Sequence, residues 1–235
     1  MKISAIGNMV VRVKPHVIVI GETKNTSEVH HRLTLPDYDF FESPARPTLA
    51  HTGKWGVIMG IRRGLLHANR VTVPETLSGR AVVLDLVIPT VTGQGFSHRL
   101  IGVYAPWNPG GITQDHQNSF WPNVLELCRN APFSCSLIGD LNVCLMTDET
   151  TSRVFPYTHS RPLYLNFLNS SMAIDVWRSQ PDTVASQHFY TCKTRTRYPD
   201  SDVTHMIIDQ AACSRTGTTS ASLSILSNFI PATDH

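Results

Sequence analysis

Asp140 and Asn142 stand in the segment Gly139-Asp140-Leu141-Asn142, directly after the apolar pair Leu137-Ile138. Side chains on an extended segment alternate with period two, so this spacing predicts a carboxylate and an amide on one side of a strand end. That pair suits a phosphate site: the carboxylate orients or deprotonates a water, and the amide donates to a phosphoryl oxygen. Taken alone, Gly-Asp-x-Asn is also ordinary turn chemistry. Glu22 follows another apolar run, Val17-Ile18-Val19-Ile20. One carboxylate can anchor a hard cation such as Mg²⁺, which fills its other positions with water and substrate oxygens. Asp209 follows Ile207-Ile208, and Asp234-His235 comes last. An Asp bonded to a His fixes its tautomer and stabilises the imidazolium.

Elements able to carry such residues are legible in the pattern. Spacings of three and four among Ile3, Ile6, Val10 and Val13 predict a short amphipathic helix, and the β-branched run 17–20 predicts a buried strand. Further strands are expected at 38–42, 55–61, 70–74, 80–88, 98–104, 136–138, 188–191 and 203–208, with helices over 113–130 and from Pro162 onward. Many strands interrupted by few helices imply two packed sheets flanked by helices rather than a strictly alternating parallel fold. With 235 residues, 41% of them hydrophobic, one globular domain over 1–235 is expected. A formal charge of +2 is too weak a field to imply nucleic acid, so any such surface must be local. Five scattered cysteines without a C-x-x-C pair point away from zinc and redox chemistry. The first fifteen residues have no long apolar stretch, so the chain is expected to be soluble and intracellular, with no membrane association and no obligate protein partner.

Read in order, the segments Gly21-Glu22-Thr23, Gly102-Val103-Tyr104-Ala105-Pro106, Gly139-Asp140-Leu141-Asn142, Ile208-Asp209-Gln210 and Thr233-Asp234-His235 resemble the endonuclease/exonuclease/phosphatase family over nearly the whole chain. The forms Glu22-Thr23-Lys24 and Tyr104-Ala105-Pro106 are similar to its apurinic-endonuclease-like branch, which includes the endonuclease domains of non-LTR retrotransposons. His188-Phe189-Tyr190-Thr191 resembles a "Phe-Thr-Trp" segment of those domains, with Cys192 in place of the Trp.

The resemblance implies an α/β (α+β) fold, a four-layer αββα sandwich of two mixed sheets, and Mg²⁺-dependent hydrolysis of DNA phosphodiesters, with Mn²⁺ as the substitute ion. It implies Glu22 and Asp234 as residues that hold the metal or its waters, Asp140 as orienter or base for the attacking water and Asn142 as phosphate donor. Tyr104 would support the phosphate side, and Asp209 would pair with His235, which polarises the scissile phosphate. Among the basic segments, Lys193, Arg195 and Arg197 are the expected contacts to a DNA backbone. The family's opening "Asn-x-Asn-Gly" strand and its closing core strand have no counterpart in these residues, which reads as a domain lacking its first and last core strands, a fragment of a retroelement reading frame. A functional retroelement domain would act in the nucleus. The alternatives are an inactive remnant and a phosphatase of the same family, although no "Pro-Ala-Trp-Cys-Asp-Arg" segment of the inositol-phosphatase kind is present.

Overall fold

The computed structural model describes residues 2–28, 30–49, 53–64, 66–89, 95–106, 112–132, 134–145, 160–176, 192–194, 204–206 and 209–214. Helix α1 (Lys2–Val13) leads into β1 (Val17–Ile20), as the spacing predicts. A 3₁₀ turn at His30–Leu33 precedes β2 (Tyr38–Ser43), β3 (Arg46–Pro47), β4 (Gly53–Lys54), β5 (Val57–Arg62) and β6 (His67–Arg70). After a second 3₁₀ turn, Glu75–Leu77, come β7 (Ala81–Pro89), β8 (Gly95–Tyr104), α2 (Ile112–Arg129), β9 (Ser134–Asp140), α3 (Ser160–Ser171) and β10 (Ala173–Asp175). The last are β11 (Cys192–Thr194), β12 (Thr204–Met206) and β13 (Asp209–Ser214). No helix among the described residues is long and apolar enough to cross a membrane.

Two sheets form the centre. The smaller has the order β1-β5-β2 and the larger β10-β13-β9-β8-β7-β6, with two-stranded ribbons β3-β4 and β11-β12 beside them. Neighbours run antiparallel except β8 and β9, which are parallel and joined through α2, the crossover such a pair requires.

Period-two alternation sorts side chains into layers. Val57, Met59 and Ile61 of β5 meet Val82, Leu84 and Leu86 of β7 and Leu100 and Tyr104 of β8 between the sheets. The intervening Ala81, Val83, Ile101 and Val103 turn the other way, against Phe120, Trp121 and Val124 of α2 and Tyr164 and Phe167 of α3. On the outer face of the small sheet, Ile18 packs with Val10 of α1, Leu33 and Leu35. The layers are therefore helix, sheet, sheet, helix, the sandwich expected. Each fully buried side chain of this size contributes roughly 1.5–3 kcal/mol.

A charge helps dock α2. Arg99, 6% exposed, forms two 2.7 Å hydrogen bonds with Asp85 on the neighbouring strand and donates from Nη1 to the Leu127 carbonyl at 2.9 Å. A cation thus meets the carbonyl-rich end of the helix while its own charge stays paired.

Two expected strands come out differently. Of residues 70–74, only Arg70 lies in a strand; Val71 adds one bond, to the Val83 carbonyl, and Pro74 has no N–H to continue a ladder. Within 203–208 the described residues Thr204–Met206 pair with β11, while Asp209 opens a strand paired with β9. The expected strand at 188–191 lies outside the described residues.

The sheets approach closely at Gly102, where a Cβ would stand 2.7 Å from the Met59 terminal methyl and 3.1 Å from a Val19 methyl. Gly102→Ala should cost about 1–3 kcal/mol in urea unfolding through overpacking. Met59→Ala in that background should cost less than it does alone, because it clears the intruding methyl. Strictly additive costs would show that the two positions do not meet.

Candidate functional site

Glu22, Tyr104, Asp140 and Asn142, read from separate segments of sequence, converge at one end of the sandwich. Parallel pairing sets Tyr104, the last residue of β8, opposite Asp140, the last of β9. Asp209, the first residue of β13, is in register with Asp140 on the other side, so three chemistry-bearing positions lie in a row across the large sheet. Glu22 arrives from the small sheet, two residues past the end of β1. A Cβ on the preceding Gly21 would lie 3.6 Å from the Tyr104 ring, in ordinary contact. The Tyr104 phenol and the Glu22 carboxylate are close enough to interact.

The Asp140–Asn142 relation is tighter than strand alternation implies. Asn142 has φ +49°, so the chain turns instead of extending, and the Asn142 backbone N–H donates to Asp140 Oδ1 at 2.9 Å. This is an Asx-type closure, and asparagine tolerates the left-handed region better than most residues. Asn142 Nδ2 donates to the Ala105 carbonyl at 2.8 Å, and the Ala105 N–H donates to the Asp140 carbonyl at 2.8 Å. One Nδ2 hydrogen of Asn142 is thereby committed; an amide has two. Before the turn, Gly139 has φ +142°, and a Cβ there would collide with the Val103 carbonyl. The glycine of the Gly-Asp-x-Asn segment is therefore a backbone requirement.

The loop after β1 is also held in unusual backbone. Glu22 and Lys24 have φ of +53° and +58°, left-handed values costly for residues with a Cβ. Backbone bonds from Thr23 N–H to the Gly56 carbonyl (3.1 Å) and from Lys24 N–H to the Trp55 carbonyl (2.8 Å) fix them. The Lys24 ammonium lies 3.1 Å from Glu22 Oε1 and is itself largely exposed.

Burial is the main reason the Tyr104 phenol is pushed above its usual range; the negative charges of Glu22 and Asp140 and the hydrogen bond to Glu22 add to it, and Arg80 opposes them. Arg80 carried no motif and was legible only as the start of a strand. It is 2% exposed, donates from Nη1 to the Tyr104 carbonyl at 3.2 Å and stacks 3.6 Å from the centre of the Trp55 ring. Burial lowers its pKa, with Tyr104 acting the other way.

Glu22, Tyr104, Asp140 and Asn142 present oxygen donors, with no thiolate or imidazole among them, which fits a hard divalent cation better than a soft one. No cluster of three or more His, Cys, Asp or Glu residues able to hold a metal occurs among the described residues. Asp234, His235, Arg195 and Arg197 lie outside the described residues. Lys193 is placed only as the middle of β11, a strand rather than a loop. Elsewhere, Arg63 pairs with Asp39 at 2.7 Å and Arg70 donates to the Glu42 carbonyl.

No protein-family profile matches the chain, and no curated protein sequence does. Solved structures do. The catalytic domain of Xenopus laevis APE2 superposes with TM-score 0.70 at 16% identity, over 92% of this chain and 79% of that one. An endonuclease/exonuclease/phosphatase from Beutenbergia cavernae gives 0.59 at 16% identity over 91% and 58%. D. rerio TDP2, solved in complex with single-strand DNA product, gives 0.52 at 14% identity over 92% and 78%. The chain thus has the endonuclease/exonuclease/phosphatase fold.

A raised phenol pKa has a defined consequence for stability. Tyr104 keeps its proton in the folded state where the unfolded chain ionises near pH 10, so its contribution is complete below about pH 10 and is lost as pH rises further. Above pH 10 the wild-type protein should lose urea stability more steeply than Tyr104→Phe, by at most about 1.4 kcal/mol per pH unit. Equal slopes would show that the phenol titrates normally.

Proposed function

We propose that the chain is a metal-dependent phosphodiesterase acting on DNA, an endonuclease domain of the non-LTR retrotransposon type. The observation that carries this reading is the convergence of Glu22, Tyr104, Asp140 and Asn142, from both sheets, at one end of a fold shared with a protein that holds single-strand DNA product. The forms Glu22-Thr23-Lys24 and Tyr104-Ala105-Pro106 support the retroelement assignment.

Asp140 is suited to orient or deprotonate the attacking water, being a buried carboxylate fixed by the Asn142 N–H. Asn142, held by its own amide and by Ala105, offers its remaining amide hydrogen to a phosphoryl oxygen. Glu22, oriented by Tyr104, is the residue to hold Mg²⁺, with Mn²⁺ as substitute, and Asp234 completes the acidic set. Bound there, the cation supplies positive charge against the phosphorus oxygens. Asp209 is assigned to orient His235, and His235 to polarise the scissile phosphate. Lys193, Arg195 and Arg197 contact the DNA backbone.

Purified protein should nick supercoiled plasmid in Mg²⁺, and Asp140→Ala, Glu22→Gln and His235→Ala should each lower the rate by roughly 10²–10⁴-fold with circular dichroism unchanged. A folded wild-type protein without nicking would sink the reading. A phosphatase is the second reading, favoured by the fold shared with a Bacteroides thetaiotaomicron mannosyl-6-phosphatase; turnover of p-nitrophenyl phosphate without nicking would select it. Replacing Lys193, Arg195 and Arg197 together by Ala should weaken DNA binding similarly on unrelated sequences and reduce the slope of log K against log salt by roughly 2–3. An unchanged slope would remove them from the interface.

A further inference from the structure

We propose that Arg80 is a positioning residue of this hydrolytic site, a buried cation that fastens the loop carrying Glu22 to the strand end carrying Tyr104. The proposal rests on the hydrolase reading above.

Arg80 brackets Tyr104 from two sides. Its carbonyl accepts the Tyr104 N–H at 2.9 Å, and its Nη1 donates to the Tyr104 carbonyl at 3.2 Å. The same guanidinium lies 3.6 Å over the Trp55 ring. Trp55, with φ +73°, supplies the carbonyl that holds Lys24, and Gly56 supplies the one that holds Thr23. The Gly56 N–H in turn donates to the carbonyl of Gly79, next to Arg80. A chain of contacts results, running from the Glu22 loop through Trp55–Gly56 and Gly79–Arg80 to Tyr104.

A bland account, in which Arg80 only fills space, leaves its chemistry unexplained. A buried charge is costly unless it is paired. No carboxylate forms an ion pair with Arg80 among the described residues, and its Nε is buried without a hydrogen-bond partner. What the guanidinium does meet is the Trp55 ring face and the Tyr104 carbonyl, one from each side of the site. Planarity matters as much as charge, because only a guanidinium both stacks on an indole and donates in its own plane to a carbonyl.

The test uses the whole chain, with Arg80→Lys, Arg80→Met and Trp55→Phe beside the wild type. Two quantities are measured: steady-state hydrolysis of an oligonucleotide in Mg²⁺, and calorimetric binding of Mn²⁺ without substrate. Arg80→Lys should stay folded by near-ultraviolet circular dichroism and lose about 10- to 100-fold in kcat, with KM within about threefold. Its Mn²⁺ affinity should fall about tenfold, the size of effect expected when the support of a metal-holding residue is loosened. Arg80→Met should lose at least as much, and Trp55→Phe should move both quantities the same way by a smaller factor. Wild-type kcat and Mn²⁺ affinity in Arg80→Lys and Arg80→Met would overturn the proposal, as would loss of the folded signal in all three variants, which would assign Arg80 to stability alone. An active wild type with unaffected variants sinks only the role of Arg80. A wild type that neither hydrolyses DNA nor binds Mn²⁺ sinks the hydrolase reading and this proposal with it.

Discussion

Between β8 and β9 the backbone ladder runs parallel, and the placement of Tyr104, Asp140 and Asn142 follows from it. Parallel pairing puts the final residues of both strands at the same edge of the sheet, so Tyr104 and Asp140 end up abreast. The ladder continues one bond further, from Ala105 to Asp140, before Asn142 turns back to close on both. Gly139 sits so close to the Val103 carbonyl that no side chain can stand there. An antiparallel pairing of the same strands would have put the two residues at opposite ends of the sandwich, and no rearrangement of loops could reunite them.

The second constraint is that one carboxylate comes from a different sheet. Glu22 must cross the inter-sheet core to meet Tyr104, and it does so on a loop whose dihedrals are unfavourable for its residue types. Such conformations cost of order 1–3 kcal/mol each and persist where neighbours over-determine them. Here the neighbours are the carbonyls of Trp55 and Gly56, with Gly56 itself at φ +97°. Strain on this side of the site and the Asx closure on the other leave Glu22 and Asp140 with little rotational freedom, which suits groups that must act together.

Much of this was legible in the amino-acid order because the signal is local. The β-branched run Val17 to Ile20 reads as a strand, and it is one although only Ile18 of it is buried; the alternation in β7 and β8 already divides residues between two cores. Gly139-Asp140-Leu141-Asn142 announces a turn with a carboxylate in it. What could not be read was set by distant partners. Asp209-Gln210-Ala211-Ala212 has weak strand propensity, and it becomes a strand because β9 and β10 lie on either side. Arg80 looks like any polar residue before a strand, since nothing in the sequence near it reveals Trp55 across the fold. The extended pair expected at Asp140 and Asn142 gives way to a turn because the amide of Asn142 finds the carbonyl of Ala105, just past the end of β8.

The crossover through α2 also sets the order in which the protein can assemble. Hairpins such as β7–β8 pair residues close in sequence and can form early, but Asp140 is flanked by Tyr104 on one strand and Asp209 on another, each far away along the chain. Closing such contacts costs chain entropy before any burial rewards it. β9 therefore docks late, after the β7–β8 hairpin it joins is in place, and the residues proposed for chemistry are among the last to meet. Until that moment both long flanks of β9 are bare backbone, the state in which this chain is most exposed to pairing with another copy of itself.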